Sequence, residues 1–269
     1  MIKLFVSDID GTLFDHTIGV PSQNIEALIK LQENKVKVVL ASGRAIPAMM
    51  EIAELIKLKE FNGYIIASNG AEVLELGHGN FIHQAKIPLI EVIEIYQFAI
   101  KHNLYFSCVQ DDVLYYSYFE QAIEHEKYHG NFKIKWISHE NDLVMDSSKC
   151  SLNIPIDAKT NGMEAFVRAF ESKLSIERLL PWYMDVQSKG QSKLLGLTKL
   201  CAHLDIPLVE VAAIGDGSND KTMLEKVGIS ASLLGSNEDI VAIVDHIMPS
   251  VKDAGVAHFT KLILKHNAL

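Results

Sequence analysis

Short apolar runs alternate with stretches of helical period in the first and last parts of the chain. Four runs, at residues 2–7, 36–41, 64–67 and 209–214, are rich in β-branched residues and apolar at nearly every position. Strands that are buried on both faces have this composition, which is typical of a parallel sheet covered by helices. Helical spacing follows Pro21 and recurs over residues 48–58 and 192–204, and we expect Ser22 to be the N-cap of the first helix.

The middle of the chain has a different pattern of predicted helices and strands. Helical patterns at 89–102, 119–129 and 161–170 alternate with strand-like runs at 104–108, 113–117 and 151–156. The turn-forming residues Gln110-Asp111-Asp112 between two of those runs predict a hairpin.

Together these patterns predict the fold class and the domain organisation. Strand–helix alternation indicates an α/β fold with a doubly wound, mostly parallel sheet. We assign residues 1–83 and 187–269 to this domain and residues 84–186 to an α+β domain inserted into it, whose length is ordinary for a domain.

Charge and composition limit the classes of ligand that the protein could bind. The formal net charge of the 269 residues is −9, which disfavours nucleic acid and anionic membranes as ligands but leaves room for a small phosphorylated molecule. No apolar run reaches the ~18–20 residues that a membrane span requires. The first residues lack a signal-peptide pattern, and the three cysteines form no C-x-x-C motif. We expect a cytoplasmic protein with reduced thiols. The sequence does not indicate its oligomeric state.

The first strand runs into Asp8-Ile9-Asp10-Gly11, at the strand end where open α/β sheets bind ligands. The i, i+2 spacing allows both carboxylates to approach one pocket. A cation beside Asp8 would keep it ionised for attack on a phosphate, and Asp10 could give a proton to the leaving alkoxide. Gly11 would allow close backbone approach, so that the N–H groups of its neighbours could reach the phosphoryl oxygens. An acidic surface turn would explain the same four residues.

Three later segments add groups of matching chemistry. Ser42-Gly43-Arg44 follows the second strand, and the Ser42 hydroxyl could hold a phosphate oxygen. Lys193 opens a helix and could balance negative charge, although single lysines are more often solvated. The segment 215–220 follows another strand, and Asp216 with Asp8 and a main-chain carbonyl would supply the oxygen ligands that Mg²⁺ prefers. Asn219-Asp220 could instead simply cap the next helix.

These segments resemble the four motifs of the haloacid dehalogenase-like superfamily, and within it the Cof-type phosphatases, which carry a class IIB cap. The motifs read DIDGTL at 8–13, ASGR at 41–44, Lys193, and GDGSND at 215–220. SNGA at 68–71 and Gly255-Val256 are further Cof-like features. The resemblance covers almost the whole chain.

The resemblance implies Mg²⁺-dependent hydrolysis of small phosphomonoesters, such as sugar phosphates, through an aspartyl-phosphate. It makes residues 84–186 a mobile cap that excludes water and contacts substrate. Implied roles are catalysis by Asp8 and Asp10, with Asp8 as nucleophile and Asp10 as general acid–base. The implied phosphate- or substrate-binding residues are Ser42, Gly43, Arg44, Lys193 and Asn219, and the implied metal site consists of Asp8, Asp10, Asp216 and Asp220.

Two departures from the family pattern are visible. Residues 232–236 read SLLGS where Ala-Met-x-Asn-Ala is usual, and Ala254 stands where Asp usually precedes the Gly-Val pair. Neither departure falls within the four motifs, although both could alter the pocket wall or the seating of the cap.

Some features of the sequence bear on functions other than phosphate-ester hydrolysis. His125-Glu126-Lys127-Tyr128-His129 matches the zinc-protease motif H-E-x-x-H, but the chain lacks the downstream ligands that such proteases require. A non-catalytic phosphate-binding protein would be expected to lose Asp8 or Asp10. A phosphomutase or phosphotransferase on the same scaffold stays open, because it would use the same residues.

Overall fold

The computed structural model of the chain describes residues 1–117, 132–154 and 161–268. These residues form two compact units. The first comprises Met1–Ser42, Met49–His83 and Ser192–Leu269, and the second comprises Gly43–Ala48 and Gln84–Gln191. Elements are numbered in chain order through both units.

The first unit is built on one sheet. Its strands are β1 Leu4–Ser7, β2 Lys37–Ala41, β3 Tyr64–Ala67, β4 Glu72–Glu75, β5 Asn80–Gln84, β12 Val211–Ile214, β13 Ile229–Leu233 and β14 His246–Met248. They lie in the order β14-β13-β12-β1-β2-β3-β4-β5. Neighbours from β14 to β3 pair in parallel, and β4 runs antiparallel to β3. The α/β class and the mostly parallel sheet predicted from the apolar runs are therefore confirmed.

Helices cover this sheet. They are α1 Ser22–Glu33, α2 Met50–Leu55, α5 Lys193–Leu204, α6 Lys221–Leu224, α7 Glu238–Val241 and α8 Gly255–Asn267. Leu197 and Leu200 of α5 belong to the same buried cluster as Leu4 and Val6 of β1. Burial of these apolar side chains fixes α5 against the centre of the sheet, and with it the position of the first residue of the helix, Lys193.

The start of α1 differs from the prediction for Ser22. Ser22 is the first helical residue, and the cap position belongs to Pro21, with φ −56° and ψ 135°. The carbonyl of Pro21 accepts hydrogen bonds from the amides of Asn24 and Ile25. The Ser22 hydroxyl makes no cap hydrogen bond, so the N-cap prediction was wrong. The proline ring already holds φ near the helical value and orients the chain at this end.

The second unit contains a separate sheet. Its described strands are β6 Tyr105–Gln110, β7 Val113–Tyr116, β8 Lys133–Trp136, β9 Lys149–Asn153, β10 Leu174–Leu180 and β11 Tyr183–Ser188, in the order β10-β11-β9-β6-β7-β8. Helices α3 Leu89–Lys101 and α4 Gly162–Phe170 contribute to its own apolar core. β6 and β7 form the predicted hairpin, with Gln110 opposite Val113 and Asp111 in the left-handed region at φ 55°.

Some predicted elements of this unit shift or lie outside the described residues. The run predicted at 151–156 is β9, which begins at Lys149 and ends at Asn153. The helix predicted at 119–129 and residues 155–156 lie outside the described residues. Within the part of the chain that the structure describes, no helix is both long and apolar enough to cross a membrane.

Gly196 offers a test of how tightly α5 packs on the sheet. A Cβ at this position would lie 2.7 Å from Ile66 Cγ2 and 3.0 Å from Gly70 Cα. Alanine is the better helix former by about 1 kcal/mol, yet we expect Gly196→Ala to lower the free energy of unfolding by about 1–3 kcal/mol because of this overlap. Urea denaturation measures the change. Thr198→Ala, on the exposed face of α5, is the control and should be neutral or slightly stabilising; the same result for Gly196→Ala would contradict the close packing.

Candidate active site

Asp8 lies at the centre of the sheet edge. It directly follows β1, which is buried along its whole length between β2 and β12. The Asp8 amide donates to the carbonyl of Ile214, the last residue of β12, at 3.0 Å. The Asp8 side chain is buried, and the residue is only 6% exposed. The parallel register therefore holds a carboxylate in the interior of the unit at a strand end.

The loop after β12 brings a second carboxylate to the first. Thr12 Oγ1 donates to Asp216 Oδ1 at 2.5 Å, which ties the loop after β1 to the loop after β12. Gly11 has φ +80°, and a Cβ there would lie 2.4 Å from Asp216 Oδ2. Only glycine accommodates both the left-handed backbone and this approach. Gly11 was predicted to let neighbouring amides reach phosphoryl oxygens; the close approach that the structure shows at Gly11 is to the Asp216 carboxylate.

A buried lysine connects Asp8 to a third carboxylate. Lys193 is the first residue of α5, whose N-cap Ser192 accepts a hydrogen bond from the Leu195 amide. The Lys193 Nζ lies 2.6 Å from Asp8 Oδ1 and 2.7 Å from Asp220 Oδ1. The side chains of Lys193 and Asp220 are fully buried. Lys193 thus lies in the interior as part of a paired network, not on a solvated surface.

The Asp220 carboxylate is held from its own loop as well. The amide of Gly217 donates to Asp220 Oδ2 at 3.1 Å. Gly215 leaves room for this carboxylate, because a Cβ there would lie 2.4 Å from Asp220 Cγ. Asp220 ends the short 3₁₀ turn Ser218–Asp220 and is followed by α6. Asp220 occupies the cap position of α6, but its side chain makes no cap hydrogen bond to that helix. The carboxylate instead accepts from Lys193 and from the Gly217 amide, so simple helix capping does not account for it.

Burial and charge perturb these groups. Burial raises the pKa of Asp8 well above its usual range; the Lys193 charge opposes this, and the charges of Asp220 and Asp216 add to it. Burial also raises the pKa of Asp216, against the hydrogen bond from Thr12. Burial alone would lower the pKa of Lys193, but the charges of Asp220 and Asp8 outweigh it and raise that pKa. The network thus keeps the ammonium charged and is short of positive charge for its carboxylates.

The same carboxylates fit a divalent cation. Ligand oxygens of Asp8, Asp216 and Asp220 all lie within 4.8 Å of one another. With one lysine against three carboxylates, the fully ionised cluster has two negative charges in excess, which a divalent cation would balance. Carboxylate oxygens are the donors that Mg²⁺ prefers. The carboxylate of Asp10, also predicted as a ligand, is not in this cluster.

The other predicted residues lie in three places. Asp10 is half-buried in the loop after β1, where its backbone bridges to Phe14. Ser42 follows β2 and is 2% exposed, and its amide donates to the Ile66 carbonyl at 2.9 Å. Gly43 and Arg44 belong to the second unit, where Arg44 Nη1 donates to the Ala48 carbonyl at 3.2 Å.

Two residues that the sequence reasoning did not single out join this site. Thr12 binds Asp216, as described above, and it lies inside the DIDGTL motif, so the motif itself was the available signal. Asn69, in the SNGA segment, accepts a hydrogen bond from Asn219 Nδ2 at 3.0 Å. The main-chain amide of Asn69 donates to the carbonyl of Ser42 at 3.0 Å.

One of the departures from the family pattern contacts a motif. The hydroxyl of Ser232 donates to the carbonyl of Gly215, the first residue of GDGSND, at 2.8 Å. Ser232 is fully buried in β13, which is paired with β12. Strand pairing brings the two segments together although they are separate in the sequence. The histidines of the H-E-x-x-H segment, His125 and His129, lie outside the described residues.

Comparison with known proteins identifies the family of the chain. Residues 5–260 match the family model of haloacid dehalogenase-like hydrolases. The chain is 27% identical to the phosphatase YwpJ of Bacillus subtilis (strain 168), covering 98% of this chain and 100% of the relative.

Solved structures have the same fold. A haloacid dehalogenase-like hydrolase from Bacteroides thetaiotaomicron superimposes with a TM-score of 0.91 at 24% identity, over 98% of this chain and 100% of the other. A sugar phosphatase of haloacid dehalogenase subclass IIB superimposes with a TM-score of 0.82 at 24% identity, over 97% and 98% of the two chains. One ion-pair network joins the loop after β1, the start of α5 and the loop after β12. With the family match extending over nearly all of the sequence, the chain belongs to the haloacid dehalogenase-like hydrolases, and the predicted phosphatase class is confirmed.

Proposed function

We propose that the protein hydrolyses small phosphomonoesters in a Mg²⁺-dependent reaction that passes through a phosphoaspartate on Asp8. The observation that carries the proposal is the buried Lys193 ammonium between Asp8 and Asp220, with Asp216 in the same carboxylate cluster. Such a site can receive a phosphate dianion only if further positive charge is present, which connects the substrate class to the cation.

Asp8 is the proposed nucleophile. One of its carboxylate oxygens attacks phosphorus, the bond from phosphorus to the leaving oxygen breaks, and Asp10 gives that oxygen a proton. Water then attacks the phosphoaspartate and gives a proton to Asp10, inorganic phosphate departs, and the Asp8 carboxylate is restored. Lys193 holds Asp8 Oδ1 at 2.6 Å, so the nucleophile is oriented before substrate arrives.

The cation would be held by Asp8, Asp216 and Asp220. When bound, Mg²⁺ supplies positive charge that lowers the repulsion between the carboxylates and the phosphate. Thr12 holds Asp216, and the Gly217 amide holds Asp220, so both carboxylates are fixed by partners outside the cluster, as is usual for metal ligands. The proposed metal site also includes Asp10.

The substrate phosphate would be bound by Ser42, Lys193 and Asn219, with Gly43 and Arg44 as the further residues suggested by the second motif. Ser42 offers a hydroxyl and Lys193 an ammonium, both suited to phosphate oxygens.

We further propose that residues 84–186 act as the cap that selects the substrate. The second unit has its own sheet and its own apolar core, as an independently folded specificity domain requires. One similar structure is of a sugar phosphatase, and sugar phosphates or comparable metabolites are the substrates we propose here.

Replacement of the nucleophile should abolish turnover. Asp8→Asn keeps an oxygen that can accept the Lys193 hydrogen bond, but a carboxamide is a far weaker nucleophile. We expect kcat for p-nitrophenyl phosphate to fall on the order of 10³-fold or more, with the melting temperature largely unchanged. Asp205→Asn, the same substitution at an exposed residue that ends α5, is the control. An Asp8→Asn enzyme with turnover like that control would exclude Asp8 as the nucleophile.

Removal of divalent cations should stop the reaction and destabilise the protein. After EDTA treatment and dialysis we expect activity to fall to background and to return with Mg²⁺. Mg²⁺ at 100 times its dissociation constant should stabilise the fold by about 2.7 kcal/mol, seen as a rise in melting temperature. Asp216→Asn should lose most of this rise, whereas Asp239→Asn, an exposed residue paired with Lys221, should keep it. Equal activity with and without EDTA would count against the cation.

The acid role of Asp10 predicts a dependence on the leaving group. In the first turnover, Asp10→Asn should slow cleavage of an alkyl phosphate by about 10²-fold or more. The loss with p-nitrophenyl phosphate should be much smaller, because p-nitrophenolate leaves without a proton. Rapid-quench measurement isolates this step from the later hydrolysis, which is common to all substrates. Equal losses for both substrates would show that Asp10 is not the acid.

A further inference from the structure

The turn Ser68–Gly70, directly after β3, has an unusual backbone. Ser68, Asn69 and Gly70 have φ values of +49°, +51° and +93°. A run of left-handed residues that includes two non-glycine residues is energetically unfavourable, and such backbone persists where the surrounding structure holds it in place. All three residues are buried, so solvent does not compensate for the cost. The proposed function gives this turn no role.

The turn contacts three of the segments that carry site residues. The main-chain amide of Asn69 donates to the Ser42 carbonyl, and the side-chain Oδ1 of Asn69 accepts from Asn219 Nδ2, each at 3.0 Å. Gly70 packs on the residue before Lys193, because a Cβ at position 70 would lie 2.0 Å from the Ser192 carbonyl oxygen. The turn therefore links the segments that carry Ser42, Lys193 and Asn219.

Asn69 retains an unused donor at this place. The residue is 4% exposed. Its Oδ1 is occupied by Asn219, but its Nδ2 has no hydrogen-bond partner among the described residues. A buried amide donor without an acceptor is costly and uncommon in native proteins. A bound ligand that offers an acceptor oxygen would remove the cost.

We propose that Asn69 is a substrate-binding residue of the phosphate site. Its Oδ1 orients the side chain of Asn219, and its Nδ2 donates to an oxygen of the phosphate group. The segments that the turn contacts carry Ser42, Lys193 and Asn219, whose side chains are suited to the same anion. This inference rests on the proposed function, since it assigns one more donor to the phosphate that Asp8 attacks.

A purely structural role for Asn69 leads to a different expectation. Asparagine tolerates left-handed backbone better than most residues, and this alone could explain its presence. Glycine adopts the same backbone without strain. If backbone conformation is the whole role of Asn69, the Asn69→Gly variant preserves function. If the side-chain amide binds phosphate, the same substitution weakens phosphate binding.

The test is the affinity of Asn69→Gly for inorganic phosphate, measured by calorimetry in the presence of Mg²⁺, together with kcat and KM for p-nitrophenyl phosphate. We expect the dissociation constant and KM each to rise roughly tenfold, the effect of losing one hydrogen bond to a charged group. Asn62→Gly is the matched control, because Asn62 is exposed, belongs to the same unit and has φ +52°. It should bind phosphate like the wild type.

Two further variants separate the two halves of the amide. Asn69→Asp keeps an acceptor for Asn219 but loses the donor, so we expect it to bind phosphate at least as poorly as Asn69→Gly. The double variant Asn69→Gly/Asn219→Ala should lose less than the product of the two single losses, because the residues act as a pair. Wild-type affinity in Asn69→Asp would overturn the donor role, and independent losses would overturn the orienting role.

The outcomes distinguish this inference from the proposed function. If the wild type neither binds phosphate nor hydrolyses any phosphomonoester, the proposed function fails and the role of Asn69 fails with it. If the wild type is active and Asn69→Gly matches Asn62→Gly in affinity and KM, only the inference about Asn69 is overturned.

Discussion

The buried ammonium of Lys193 is the interaction on which the arrangement of the site depends. A charge in the interior persists only when it is paired, because desolvation otherwise costs more than the fold can supply. Lys193 meets this requirement with Asp8 and Asp220, at 2.6 and 2.7 Å. The start of α5, the end of β1 and the loop after β12 are therefore constrained by one group. The carboxylates it leaves incompletely balanced create the demand for a further cation.

The parallel sheet makes this pairing possible. In the register of the sheet, Ser7 lies opposite Leu40 of β2 and Ile214 of β12. The three strands thus end within one residue of the same level, since β2 continues to Ala41, and the residues that follow them emerge at the same edge. Glycines then allow the loops to close on one another, since Gly11 admits Asp216 and Gly215 admits Asp220. Side-chain chemistry and backbone space are both needed, and the motif sequences contain both.

Residues that were not predicted as site residues complete the arrangement through their contacts. Thr12 and Ser232 hold the loop after β12 from two sides, one through the Asp216 carboxylate and the other through the Gly215 carbonyl. The turn at Asn69 joins segments that three different motifs supply. The hydrogen bonds of Thr12 and Ser232, and those that Asn69 makes with Ser42 and Asn219, keep the functional groups in place, as supporting hydrogen bonds do around metal and catalytic sites.

The sequence by itself determined four of the eight strands of the first unit, β1, β2, β3 and β12, to within about two residues. It also determined the helix that begins at Lys193, the fold class and the family. Buried parallel strands and motif loops are local patterns, so they are readable from consecutive residues. Even so, the local pattern misassigned the cap of α1, where Pro21 and not Ser22 occupies the cap position. Only the tertiary structure decided that Lys193 pairs with both Asp8 and Asp220, that Ser232 reaches Gly215, and that Asn69 meets Asn219. These contacts join residues far apart in the chain, and their distances follow from strand order, register and the space left by glycines, which no single segment of sequence specifies.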